Sequence, residues 1–163
     1  MKLIKPSYEI LPLGDGSLNS VYNSIEIAGR ICYKSESKGD SKKFVNKLIE
    51  LNHFSPLEHG TVYMDIANDE NLEIKERMYF RNPYSRVYSL KPGWQSLHVY
   101  ITINYRTLIE HNWLDDLKYI CKPTEYHDKR ISVKLICSRA IANELVRHRK
   151  FSFCQESTRQ MAA

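Results

Sequence analysis

The chain has 163 residues, with 24 Lys and Arg against 19 Asp and Glu, six His, four Cys and a mean hydropathy of −0.48. That length suits one compact domain, and a chain of about 150 residues buries roughly 70% of its unfolded surface, enough for a core without covalent staples. A hydrophobic share of 42% and a charged share of 26% exclude a disordered or collagen-like chain. No apolar run approaches the ~20 residues of a membrane span, and the opening MKLIKPSYEILPLGDG lacks the apolar stretch of a signal peptide. Cys32, Cys121, Cys137 and Cys154 are scattered, with no C-x-x-C pair. That scatter fits neither a zinc ribbon nor a disulfide scaffold, and a reducing cytoplasm is expected. The net charge of +5 is spread thinly, except for Arg139, Arg147, His148, Arg149, Lys150 and Arg159 near the C-terminal end.

The first dozen residues read as a strand ending near Pro12. A turn follows at Gly14-Asp15-Gly16, with Asp15 or Ser17 as helix N-cap. Leu18, Val21, Ile25, Ala28 and Cys32 recur at helical spacing, predicting one amphipathic helix to about Tyr33. A polar loop covers 34–40. Phe44, Val45, Leu48 and Ile49 mark a second helix, ending before Pro56. Residues 60–67 alternate and carry β-branched and aromatic side chains, which predicts a strand. Residues 68–96 contain Asn82-Pro83 and Pro92-Gly93, so a hairpin or extended loop is expected there. Residues 97–104 read as a strand, and Leu108, Trp113, Leu117 and Ile120 as a third helix closed by Pro123. The last strand is predicted at 131–137, followed by a helix capped by Ser138 that leads into the basic cluster. The pattern has no repeat and no Gly-rich phosphate loop. It predicts an α+β fold, a single domain with a mixed, largely antiparallel sheet packed with helices.

Two constellations could carry chemistry. In His53-Phe54-Ser55-Pro56-Leu57-Glu58-His59, two imidazoles and a carboxylate invite a zinc reading. The i, i+4 helical spacing that such a site needs is absent, and Pro56 breaks helix, so no metal is expected. A helix end with histidines satisfied by backbone, or a loop holding the polar edge of a cofactor, both suit the residues. The second is Arg147-His148-Arg149-Lys150 through Ser157-Thr158-Arg159. Arginine forks with hydroxyls and backbone N–H groups suit a phosphate. The same residues suit a basic helix terminus, or a nucleic-acid contact interleaved with Phe151 and Phe153. Spacing leaves these three open.

The order R-H-R, seven residues, then S-x-R, carried here by Arg147-His148-Arg149 and Ser157-Thr158-Arg159, resembles the signature of the flavin-dependent thymidylate synthases. The segment His53-x-Ser55-Pro56-x-Glu58-His59 looks like that family's H-x-[ST]-P-x-E-H, and Ala28-Gly29-Arg30-Ile31-Cys32-Tyr33 is similar to its counterpart. The likeness covers most of 18–67 and 131–159. Residues 69–130 resemble an insertion found in one branch of the family and are assigned no chemistry.

The resemblance implies synthesis of dTMP from dUMP, with methylenetetrahydrofolate as carbon donor and NADPH reducing a bound FAD. The flavin carries the hard chemistry, so no cysteine is needed as nucleophile. Ser157, with no activating base at triad-like spacing, reads as a ligand rather than a nucleophile. By the same correspondence Arg147, His148 and Arg149 contact flavin, as does Ser55, with His53, Glu58 and Gln155 nearby. Glu144, Arg147, Gln155, Glu156, Ser157, Thr158 and Arg159 face dUMP, with Ser157, Thr158 and Arg159 on its phosphate. Arg147 in that family often reaches dUMP from a neighbouring subunit. A homotetramer follows for an intact chain; nucleic-acid and membrane partners do not. Cys154-Gln155 departs from the Asn-Glu of many members. Members usually continue past the equivalent of Arg159 with an aromatic residue and a further segment, whereas Gln160-Met161-Ala162-Ala163 closes this sequence. A fragment, or a shortened relative that binds flavin or nucleotide without turnover, is therefore the alternative expectation.

Overall fold

The computed structural model describes residues 5–37, 39–90, 97–148 and 150–156. The expected turn at Pro92-Gly93 lies outside these residues, as do Arg149, Ser157, Thr158 and Arg159. The fold is α+β, and every strand pairing among the described residues is antiparallel. The strands fall into two separate sheets rather than one. β1 (Ser7–Ile10) pairs with β5 (Val133–Ile136), while β2 (Thr61–Ala67), β4 (His98–Asn104) and β3 (Arg86–Leu90) form a three-stranded sheet with β4 in the middle. The segment 69–130 thus supplies the central strand and, through Leu108, part of the core.

Hydrophobic alternation sets the register of this sheet. Val62 faces Ile103, Met64 faces Ile101 and Ile66 faces Val99, and all six side chains are fully buried. Against them pack Val21 and Ile25 of α1 (Leu18–Tyr33), Val45 and Leu48 of α2 (Ser41–Glu50), and Leu57. Of the two cap candidates at α1, Ser17 is the N-cap, and Asp15 instead braces the turn before it. Ser17 Oγ accepts from Ser20 N–H at 3.2 Å, and Asp15 accepts from Ser17 N–H at 2.8 Å. Gly16 has φ +83°, and a Cβ there would lie 2.4 Å from the Cys121 carbonyl oxygen, so the turn needs glycine on both counts.

Two predicted elements differ from the fold. Residues 68–96 hold a helix, α3 (Leu72–Arg81), before β3. Asn82-Pro83 is a true stop signal, but it terminates α3 instead of turning a hairpin, because Asn82 takes an extended conformation as C-cap. Only Tyr79 of α3 is fully buried, while Ile74 and Phe80 are exposed, so the apolar stripe that would announce a helix is faint. The expected third helix is broken into α4 (Tyr105–Glu110) and a 3-10 turn, Leu114–Tyr119. Asn112 causes the break: its φ is 58°, and the Trp113 N–H turns back to the Leu108 carbonyl at 2.8 Å. The last helix, α5 (Arg139–Leu145), is capped by Ser138 as predicted and buries none of its residues.

A compact polar network ties α3 to the 3-10 turn. Lys75 Nζ lies 2.6 Å from Asp116 Oδ1 and 3.0 Å from Asp69 Oδ2. Tyr79 Oη donates to Asp116 at 2.7 Å, and Tyr119 Oη donates to Asp69. Deeper in α1, Glu26 is 6% exposed yet fully partnered by Arg30, Ser37 and Ser41. That carboxylate anchors the loop after α1 and the start of α2, and the Arg30 guanidinium stacks 4.3 Å over the Phe44 ring.

Candidate functional site

The candidate site is built where α1 and α2 end side by side. Lys34 closes α1 in the left-handed region (φ 47°), leaving Cys32 and Tyr33 on its last turn. Asn52 (φ 56°) turns the chain out of α2, with His53 N–H donating to the Leu48 carbonyl at 2.9 Å. A 3-10 turn, Ser55–His59, follows. Its apolar members Pro56 and Leu57 are buried, which leaves His53 and Ser55 exposed around an anchored turn. Pro56 thus seats the motif in the core.

Tyr33 Oη and His53 Nδ1 are 2.6 Å apart, and the two rings stack with centroids at 6.1 Å. Burial, then the nearby Cys32 and Cys154 sulfurs, raise the Tyr33 phenol pKa, so the phenol keeps its proton. Arg106 Nη1 donates to Glu58 at 2.6 Å and its Nε donates to Glu110 at 2.7 Å. Those two carboxylates raise the guanidinium pKa further and leave the trio net negative. Tyr33, Asn52, His53, Phe54, Ser55 and Arg106 line an open cleft of about 460 Å³. Ser55 Oγ has no hydrogen bond among the described residues. With its one guanidinium neutralised, the cleft suits a flat ring with polar edges better than a bare phosphate.

The C-terminal segment comes to the same place. Glu156 Oε1 lies 3.0 Å from Lys34 Nζ. Cys154 and the Gln155 N–H act to lower the Cys32 thiol pKa, while Cys32, burial and the Glu58 charge raise that of Cys154. The residues 53–59 and 154–156, more than ninety positions apart, therefore converge on the end of α1.

Other expected site residues sit elsewhere. Arg147 Nη1 pairs with Glu144 at 2.9 Å, and both side chains are mostly exposed. His148 is exposed on the turn after α5. An exposed pair of this kind contributes only about 0.3–0.5 kcal/mol, so a ligand could redirect Arg147 at little cost. His59, the last residue of the motif, has a buried Nε2 with no hydrogen-bond partner among the described residues, and burial lowers its pKa.

Sequence reasoning missed Tyr33 and Arg106 as site residues. Tyr33 belongs to a segment already noted for its resemblance, and its position one residue past Cys32 was the available signal. Arg106 offered none, because its i, i+4 partner Glu110 reads as an ordinary surface pair, and Glu58 lies 48 positions away. Among the described residues, no three His, Cys, Asp or Glu side chains gather as a metal site would require, and no helix is long and apolar enough to cross a membrane. Comparison of the chain with protein-family models, curated proteins and solved structures gave no match.

Proposed function

We propose that the chain is a flavin-binding nucleotide enzyme of the thymidylate synthase type, converting dUMP to dTMP. FAD would be the cofactor, with methylenetetrahydrofolate and NADPH as co-substrates. The observation that carries this reading is the convergence of 53–59 and 154–156 on the end of α1, beside a cleft of polar and aromatic side chains.

FAD would supply the reducing equivalents when bound; the residues of this chain bind and orient. Tyr33 and His53 offer a stacked aromatic wall, and Ser55 a free hydroxyl. Arg106, on the wall of the cleft, holds the Glu58 carboxylate in an ion pair. Arg147, His148, Arg149, Gln155 and Arg159 are the candidates for flavin and dUMP contacts. Ser157 and Thr158 belong to the same proposed phosphate loop.

A cleft of about 460 Å³ in one chain does not enclose a dinucleotide. Assembly would complete it, and the exposed apolar residues Tyr8, Ile10, Ile131, Val133, Ile141 and Phe151 on the β1–β5 ribbon and around α5 support association of copies, a tetramer in this reading. The unbonded thiols of all four cysteines fit a cytoplasmic setting.

A second reading is a relative that binds flavin or nucleotide without turnover. It is favoured by Cys154-Gln155, which stand where many members of the resembled family carry Asn-Glu.

An FAD titration of the purified chain tests the proposal. Saturable binding with a shifted flavin spectrum, followed by dUMP-dependent flavin oxidation, is the expected result. A well-folded chain that leaves the flavin spectrum unchanged overturns the enzyme reading, binding without dUMP-dependent oxidation selects the second, and a chain that binds neither FAD nor dUMP overturns both.

A further inference from the structure

A second cleft, of about 330 Å³, opens beside β3 and takes no part in the reading above. Its lining is Arg86, Val87 and Tyr88 of β3 with Glu125, Tyr126 and Asp128. Val87 packs on the core, so the alternation of the strand puts Arg86 and Tyr88 on the opposite face of the sheet. There Tyr126 stacks between two rings, with centroids 5.5 Å from Tyr88 and 4.8 Å from Tyr100. Tyr88 and Tyr100 are register partners, and Tyr88, at the open end of the row, is 48% exposed. The cleft therefore has an aromatic wall already held in place.

Two guanidiniums meet next to that wall. Arg86 Nη1 donates to the Pro83 and Ser85 carbonyls at 3.5 and 3.0 Å, and Arg130 Nη2 donates to the Tyr84 carbonyl between them at 2.7 Å. Three consecutive carbonyls thus bring the two cations side by side. The Arg130 backbone is fixed as well, its N–H donating to the buried Tyr63 hydroxyl at 3.4 Å. Asp128 lies 3.9 Å from Arg86 Nε, a loose pair with both side chains mostly exposed, which a ligand displaces at little cost. Among the described residues Arg130 is in no ion pair, and its Nε and Nη1 make no hydrogen bond. Burial, and then the Arg86 charge, act to lower the Arg130 pKa, and an anion at this place would offset both.

We propose that this cleft binds a nucleotide whose base carries an exocyclic amino group, with its phosphate on Arg86 and Arg130, its ring against Tyr88 and its amino group on Glu125. Arginine forks with donors to spare match phosphate oxygens. Two guanidiniums outnumber the one carboxylate beside them. A tyrosine face stacks on any base, so the ring supplies affinity without choosing among bases. Glu125 makes the choice. It is in no ion pair among the described residues, and a carboxylate accepts from an amino group but repels a ring carbonyl. Adenine and cytosine nucleotides fit that edge, whereas hypoxanthine and uracil nucleotides present a carbonyl there. The preference is opposite to that of a dUMP site, so this is a second and separate site. A volume at the small end of ligand clefts suits a mononucleotide.

The test uses the full chain without flavin, so its outcome does not depend on the cofactor reading. AMP, IMP, CMP, UMP and adenosine are titrated by calorimetry. AMP should bind about ten-fold more tightly than IMP, CMP about ten-fold more tightly than UMP, and AMP at least ten-fold more tightly than adenosine. Arg130→Gln should weaken AMP about ten-fold and leave adenosine unchanged. Arg86→Gln, on the exposed side of the pair, should do the same and serves as the second variant if Arg130→Gln does not fold by circular dichroism. Glu125→Gln should remove the preference for AMP over IMP, and Tyr88→Leu should weaken AMP and adenosine alike. A folded wild-type chain that binds no AMP overturns the proposal, as do equal affinities for AMP and IMP, or AMP binding indifferent to the arginine substitutions. An affinity for single-stranded oligoadenylate that rises with its length would overturn the assignment to a free mononucleotide.

Discussion

Replacing Lys75 by Met removes one charge from the network joining α3 to the 3-10 turn while keeping a flexible apolar stem of similar length. The lysine is 17% exposed and the two carboxylates beside it 9% each. Its loss leaves Asp69 and Asp116 close together without a cation. Breaking a buried pair in this way costs about 3–5 kcal/mol. The Tyr79 and Tyr119 hydroxyls still donate to the stranded carboxylates, so the lower end, about 3 kcal/mol, is expected. For a chain of this size that corresponds to a fall in Tm of roughly 6–12 °C.

The pH dependence adds a sign. Hydrogen bonds from Tyr119, the Asn71 N–H and Lys75 hold the Asp69 carboxyl below its ordinary range, so its contribution is present above about pH 4 and is lost as pH falls further. Burial alone would lower the Lys75 pKa, but Asp116 and Asp69 outweigh it. The lysine contribution is therefore complete below about pH 10 and lost only as pH rises through the raised value. The wild-type network is at full strength from about pH 5 to 9. In the variant, protonating one of the facing carboxylates relieves repulsion, so its deficit should shrink between pH 7 and pH 4. Urea unfolding followed by circular dichroism at both values measures it. A deficit under about 1 kcal/mol at pH 7, or one that grows in acid, would refute the reasoning. Lys75→Met combined with Asp116→Asn should recover part of the loss.

Gly60→Ala should destabilise by about 1–3 kcal/mol, read as a lower urea midpoint, because the new methyl would lie 2.6 Å from Ile25 Cδ1 and 2.9 Å from Val21 Cγ1 in the core. An unchanged midpoint would mean that α1 and the turn before Gly60 separate easily. Burial lowers the pKa of His59 and of His127, so the unfolded chain binds more protons just below about pH 6.5, and stability should fall as pH drops through that region. His127→Gln should flatten the slope over that range, and a slope equal to wild type would show that His127 does not titrate there. Tyr33→Phe removes the hydroxyl bonded to His53 and should weaken FAD binding about five- to ten-fold, the equivalent of one hydrogen bond, with little change in Tm. Flavin fluorescence measures this, and an unchanged affinity would remove Tyr33 from the site.

Periodicity and punctuation carried the parts of the fold that bury one clear face. α1 runs over the residues whose apolar spacing marked it, Ser17 and Ser138 cap the helices they precede, and β2 and β4 occupy the alternating stretches. The missed helix α3 buries little besides Tyr79 and is held by Lys75 and its carboxylates, an arrangement with no hydrophobic signature. The broken third helix turned on a single left-handed Asn112, which its apolar spacing did not reveal. For the candidate site, His53, Ser55 and Glu58 were legible as a motif. Arg106 was not, because a guanidinium recruited across 48 positions is set by the approach of two elements rather than by local sequence.

The ribbon of β1 and β5 has a kinetic consequence. Tyr8 pairs with Leu135, 127 positions later, through strands of four residues whose side chains are all exposed. Closing so long a loop gains little buried surface to offset its entropy, so pairing must wait until the central sheet has already drawn the two ends together. The same thin stabilisation makes it an early place to open once folded. α5 and Arg147 follow directly from β5. The basic end of the chain is thereby mounted on the part of the fold that forms late and breathes first, leaving it free to adjust to a ligand while α1 and the central sheet stay fixed.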